Sequence, residues 1–309
     1  MTTAAVLKVL QPGLCTLVVD NGRPRSRSLG VPIGGAADRT ALAIGNALVG
    51  NAPGGAALEV ALAGPTLVAD AELACVLYGA PFDLSTERRP LTVGKTFTLA
   101  PGEVLRIGGA PQGARAYLCI RGGLQTSVVL GSRSSLTPLQ AGAEISCLSA
   151  IIQAHFVRFE EERSAAIVLR VLDGAQADWF PGKGFYGGDY SVAPSSNRMG
   201  VRLAGPSLHP LERQMISEPV CPGSVQMTRD GQCIILGMDG QTIGGYPKIA
   251  QVISADLDAV GQLRPGDRLK FRRITLDEAE RLFREKQAQL RDWLARLRSA
   301  TIADAPRES

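Results

Sequence analysis

Gln232-Cys233-Ile234-Ile235-Leu236-Gly237-Met238 and Arg268-Leu269-Lys270-Phe271-Arg272-Arg273-Ile274 are runs of strand length, apolar or alternating, and set off by glycine or proline. Working outward, the same grammar recurs at 15–20, 73–77, 104–107, 116–121 and 166–172. Short β-rich runs with turn residues between them predict an antiparallel, mainly β architecture. The 35 glycines and 19 prolines supply the turns, glycine by tolerating positive φ and proline by fixing φ near its turn value.

Two segments break the pattern. Residues 38–48 place Leu42, Ala43, Ala47 and Leu48 at helical spacing, with Asp38 as N-cap and Gly50-Asn51 as the stop. Thr275-Leu276-Asp277-Glu278 is a capping box. Beyond it Leu276, Ala279, Leu282, Phe283, Leu290, Trp293, Leu294 and Leu297 trace one face of a long amphipathic helix, read as a cap on a barrel or a partner-binding face. A weak internal repeat pairs Val60-Ala61-Leu62-Ala63-Gly64-Pro65 with Val201-Arg202-Leu203-Ala204-Gly205-Pro206. In the same order, Leu99-Ala100-Pro101-Gly102-Glu103 is echoed by Leu263-Arg264-Pro265-Gly266-Asp267. Two related subdomains, 1–155 and 156–275, followed by a helical tail at 276–309, account for it, as does convergent turn chemistry. The solvent-like stretch 160–164 lies in the expected join.

The balance of 33 basic against 29 acidic residues, dispersed along the chain, gives no basic stripe for nucleic acid. No apolar run reaches the roughly 20 residues a membrane helix needs. The six cysteines form no Cys-x-x-Cys pair, and most lie in apolar runs, as buried free thiols of a cytoplasmic protein do. His155 and His209 stand apart, so neither a histidine metal site nor a Ser-His-Asp triad is expected. The segment Gly182-Lys183-Gly184-Phe185-Tyr186-Gly187 spells a dinucleotide fingerprint but sits in predicted loop. Val93-Gly94-Lys95-Thr96 has the end of a phosphate loop, with Arg89 where its first glycine should be. No biotin-attachment motif occurs.

The region 195–271 is the most specific. It contains Ser196-Asn197-Arg198-Met199-Gly200, Ser217-Glu218-Pro219-Val220, Gly223-Ser224-Val225-Gln226, Gln241-Thr242-Ile243-Gly244-Gly245-Tyr246-Pro247-Lys248 and Arg264-Pro265-Gly266-Asp267. With Asp20-Asn21-Gly22-Arg23, Gly35-Ala36-Ala37-Asp38, Leu58-Glu59 and Leu130-Gly131-Ser132-Arg133-Ser134, this series resembles the biotin-dependent carboxyltransferase A/B-domain family. That family includes the C-type subunit of 5-oxoprolinase (PxpC), KipA-type antagonists and part of urea carboxylase, once grouped under the allophanate hydrolase name. The chain departs from its pattern at Val19, where Gln is usual, and at Gly240, where Arg is common.

The resemblance implies a cyclophilin-like β-barrel in each half and a ligand groove. It implies a subunit of an ATP-dependent 5-oxoprolinase-like complex opening 5-oxoproline to glutamate. ATP would then enter through the complex, and biotin, if used, on another polypeptide. The implied partners are a C/D-type subunit of the KipI/PxpB kind and, as an open choice, a third PxpA-like subunit. Two alternatives stand beside it: a biotin-dependent carboxyltransferase acting on urea or a related amide, and a non-catalytic KipA-type protein antagonising a KipI-type kinase inhibitor. The candidate catalytic residues are Lys248, Tyr246, Asp239 and Arg198. The candidate substrate-binding residues are Gln226, Gln241, Thr242, Gly244, Gly245, Asn197 and Arg133. Arginine forks suit carboxylates, and carboxamides both donate and accept, as a planar amide requires. Plainer roles fit several of them: Asn197-Arg198 as a loop staple with a salt bridge, Tyr246-Pro247 as a loop pin.

Overall fold

A computed structural model describes residues 3–156, 167–180, 184–211 and 213–303. The linker segment 160–164 and the glycine-motif residues 182–183 lie outside them. The chain divides into two compact units: 1–22, 34–160 and 288–309 form the first, 23–33 and 161–287 the second.

In the first unit, β1 (Ala4–Gln11), β4 (Thr66–Ala69), β6 (Leu84–Thr86), β8 (Val104–Ile107) and β10 (Glu144–Leu148) form one five-stranded sheet. Strands β2 (Cys15–Val19), β3 (Ala57–Ala61), β5 (Leu73–Gly79), β7 (Phe97–Leu99) and β9 (Arg115–Ile120) form another. Alternation sends Leu7, Val9, Leu67 and Leu105 of the first sheet into one core with Leu58, Val60, Leu77 and Leu118 of the second. The opposite face of the second sheet offers Leu17, Val76, Tyr117 and Cys119 to helix α1 (Arg39–Leu48). Asp38 caps that helix as expected, its carboxylate accepting from the Ala41 N–H at 2.9 Å.

In the second unit, β11 (Ile167–Asp173), β12 (Tyr190–Val192), β13 (Gly200–Ala204), β15 (Ser224–Met227), β16 (Cys233–Leu236), β18 (Lys248–Val252) and β19 (Arg268–Arg273) close into a seven-stranded barrel. A two-stranded ribbon of β14 (Glu218–Pro219) and β17 (Ile243–Gly244) stands beside it. The expectation of a wholly antiparallel pattern needs one correction, because β11 and β19 run parallel, Leu169 opposite Phe271. A crossover of this length can join parallel strands, and this pair is what closes the barrel. Phe185 lies in the one-turn helix α2 (Gly184–Gly187), where loop was expected, and stacks on Phe271 in the barrel core. Helix α3 (Leu257–Gly261) completes this unit.

The final helix α4 (Leu276–Ala303) begins as its capping box predicts, the Thr275 hydroxyl accepting from the Glu278 N–H at 3.2 Å. Ala279 and Leu282 pack with Ile253 and Ala255 of the second unit, and Leu290, Leu294 and Leu297 pack into the α1 core of the first. Among the described residues no helix is long and apolar enough to cross a membrane.

The repeated turns carry the same chemistry in both units. Gly102 and Gly266 adopt φ of 74° and 89°. In each turn the next residue's carboxylate bonds back to the main chain, Glu103 to the Ala100 N–H and Asp267 to the Arg264 N–H, both at 2.9 Å.

Candidate functional site

Strand alternation builds the site on the outer wall of the barrel. Val201 and Leu203, Val225 and Met227, and Cys233 and Ile235 point into the core. Their neighbours Gly200 and Arg202, Gln226, and Ile234 and Leu236 therefore face outward. Together with Asn197, Met199, Gln241 and Tyr246 they line a groove of about 140 Å³. Register aligns them: Arg202 pairs with Ile234, Ile234 with Gln226, and Gln226 with Lys248.

Gln226 is the unusual member. Its side chain is 1% exposed, and its amide nitrogen meets no acceptor among the described residues. An unsatisfied buried donor costs about 1–3 kcal/mol, which a ligand oxygen at the groove wall would recover. Gly244 explains the tight fit around it. A Cβ there would stand 2.6 Å from the Gln226 amide nitrogen and 2.8 Å from that of Gln241. A Cβ on Gly245 would meet only the Ser217 hydroxyl, at 3.4 Å, so close backbone approach is required of one glycine and not of its neighbour. Asn197 accepts from the Met199 N–H at 2.9 Å and holds the turn at the groove's edge. Tyr246, 40% exposed, also lines the groove.

Arg198 and Asp239 satisfy each other. The guanidinium donates Nε–H to Oδ2 at 2.6 Å and Nη2–H to Oδ1 at 2.9 Å, with 9% and 12% of the two side chains exposed. This fork ties the loop before β13 to the loop after β16, and the Gly237 N–H donating to the Met199 carbonyl at 2.9 Å reinforces it. The loop-staple reading of Arg198 is thus the one the geometry favours.

Lys248 donates to Glu218, and Gln176 closes the cluster. Its amide nitrogen donates to Glu218 at 3.2 Å, and its oxygen accepts from the Lys248 N–H at 3.1 Å. Hydrogen bonds from Lys248 and then Gln176 hold the Glu218 carboxyl below its ordinary range. Thr242 ties the ribbon down, its carbonyl accepting from the Val220 N–H at 3.0 Å. Sequence reasoning passed over Arg202, Glu218 and Gln176 as site residues. The signal for Arg202 was its place between Val201 and Leu203 in an alternating strand.

Arg133 belongs to the first unit, whereas the groove is built from the second. Its N–H donates to Asp20 at 2.6 Å. Burial opposes the charge on Asp20, but hydrogen bonds from Ser132, Ser134, the Arg133 N–H and the Gly22 N–H outweigh it and lower the pKa. In the Val93-Gly94-Lys95-Thr96 stretch, Thr96 is buried and its hydroxyl donates to the Gln153 carbonyl at 2.7 Å, so it forms no phosphate cradle. Among the described residues no group of three or more His, Cys, Asp or Glu side chains is placed to hold a metal ion.

Comparison with known proteins places the chain in a family. The chain is 36% identical to the C-type subunit of 5-oxoprolinase from Haemophilus influenzae, over 88% of this chain and 93% of that protein. It is 31% identical to the corresponding 5-oxoprolinase protein of Escherichia coli K12, over 91% and 96%. The crystal structure of the Kluyveromyces lactis urea amidolyase superposes with a TM-score of 0.85 at 26% identity, covering 93% of this chain but 20% of that one. The model of the carboxyltransferase domain, subdomain A and B, matches residues 29–273, and the chain belongs to that family.

Proposed function

We propose that this chain is the C-type subunit of a 5-oxoprolinase, with 1–155 as subdomain A and 156–275 as subdomain B, helping to open 5-oxoproline to glutamate at the expense of ATP. The observation that carries this reading is sequence identity. The chain is 36% and 31% identical to the two 5-oxoprolinase subunits and 26% identical to the urea amidolyase. A lactam is resonance-stabilised, and its opening needs activation that the complex supplies through ATP bound on a partner. The barrel groove contributes positioning and electrostatics. Gln226 donates to the lactam oxygen as negative charge develops there, Gln241 and Asn197 flank it, and Tyr246 covers the ring's apolar face. Arg198 and Asp239 act as positioning residues that fix the groove's rim. Lys248, paired with Glu218, stands one strand from Gln226. The ureido group of biotin is also a planar amide, and the same Gln226 and Gln241 donors would hold its oxygen if a partner delivered it.

The test is reconstitution with a C/D-type subunit of the KipI/PxpB kind and a PxpA-like third subunit, followed by ATP-dependent glutamate release from 5-oxoproline. Release is expected, and Gln226→Leu should lower kcat at least tenfold in a complex that still assembles. An assembled wild-type complex that releases no glutamate would sink the reading, and turnover of urea with a biotinylated carrier would replace it.

A further inference from the structure

The groove's charge pattern goes further than its carboxamides, and on the 5-oxoprolinase reading it assigns a residue. We infer that Arg202 is the anchor for a carboxylate on the substrate, so that the groove selects amides bearing an acid group over neutral ones. Among the described residues Arg202 is the one charged side chain lining the groove, and no carboxylate lines it. Its Nη1–H donates to Gln232 Oε1 at 2.9 Å, which sets the plane of the guanidinium. Gln232 is itself held, its N–H donating to the Thr228 hydroxyl at 2.9 Å. Asp230 lies within the field of Arg202 but is not part of the groove wall.

Register fixes the spacing. Arg202, Ile234 and Gln226 occupy one row across β13, β16 and β15. Two strand spacings separate the outer pair, roughly 10 Å between Cα atoms. Two long side chains converging over Ile234 from that separation can grip opposite ends of a small ring. Gln226 takes the amide oxygen and Arg202 the carboxylate, with Ile234 and Leu236 as an apolar floor. A planar guanidinium binds carboxylate through two parallel N–H···O bonds, which a neutral amide cannot reciprocate. Urea has no carboxylate for Arg202 to hold.

The experiment is calorimetric titration of the full chain with three probes: 5-oxoproline, its neutral primary amide, and 2-pyrrolidone. Wild type should bind 5-oxoproline at least about tenfold tighter than either neutral probe, the range of a charge-assisted hydrogen bond. Arg202→Gln should erase that gap by weakening 5-oxoproline alone, and Arg202→Lys should restore part of it, with circular dichroism confirming the fold. Equal wild-type affinity for the acid and its amide, or no saturable binding of 5-oxoproline, overturns the assignment without needing a variant. So does an Arg202→Gln chain that binds like wild type. Glutamate release by the wild-type complex decides the 5-oxoprolinase reading separately, so the two can fail independently.

Discussion

Replacing Asp239 with Asn removes the counter-ion from a bidentate pair whose side chains keep 9% and 12% of their surface in water. Breaking a buried pair by changing one partner costs about 3–5 kcal/mol, because the other charge stays behind in a poor solvent. The remaining exposure puts this pair at the low end, about 3 kcal/mol. At about 2 °C of Tm per kcal/mol for a chain of this size, the melting temperature should fall by about 6 °C. Arg198→Met should cost a similar amount. The double variant Arg198→Met with Asp239→Asn should cost clearly less than the sum, giving a coupling of at least about 1 kcal/mol. Urea denaturation and calorimetric melts of the four proteins close this cycle. If both single variants stay within about 0.5 kcal/mol of wild type, the level of ordinary surface changes, the staple argument is refuted. Loss of 5-oxoproline binding in such stable variants would return Arg198 to the ligand.

Three further outcomes are expected. Asp20 has a lowered folded-state pKa, so its contribution to stability is present above the unfolded value of about 3.9 and is lost as pH falls through the lower folded one. Asp20→Asn should therefore be less stable than wild type at pH 7, and the difference should vanish in acid; parallel acid-limb melts check this, and a constant gap across pH contradicts it. Gly244→Ala should displace the Gln226 and Gln241 amides and weaken 5-oxoproline binding at least about tenfold, the value of one lost hydrogen bond and its misplaced donor, whereas Gly245→Ala should bind nearly normally. Cys221 is exposed, while burial raises the thiol pKa of Cys75, Cys119 and Cys233 and pushes Cys147 up to about 12. Alkylation of the native protein followed by peptide mass spectrometry should therefore label Cys221 and leave those four unmodified until denaturant is added.

The fold was legible wherever the signal is local. The runs at 15–20, 73–77, 104–107 and 116–121 are strands because their apolar residues suit a sheet buried on one or both faces, and Asp38 and Thr275 cap helices because each carries an acceptor oxygen one position before the first turn. The parallel pairing of β11 with β19 was not legible. Both strands read as ordinary short β runs, and only closure of the barrel decides which edge meets which. The one-turn helix at Gly184–Gly187 escaped for the opposite reason. Its glycines argue for loop, and the burial of Phe185 against Tyr190 and Phe271 overrides that preference.

The site shows the same division between local and long-range information. Gln226, Gln241, Gly244 and Tyr246 stood out in the sequence, and the fold gathers them on one groove. Arg198 stood out equally, yet a fork that suits a substrate carboxylate suits an aspartate as well, and Asp239, forty-one positions away, takes it. Arg202 was overlooked because nothing beside it in sequence marks it as chemical. Its neighbours across the sheet do so, since Ile234 sits between it and Gln226 only through the pairing of three strands. Sequence therefore names the groups that can bind a planar amide. Register decides which of them share a wall, and here it sets a cation, Arg202, beside the carboxamides, the arrangement on which the proposed preference for an acidic amide rests.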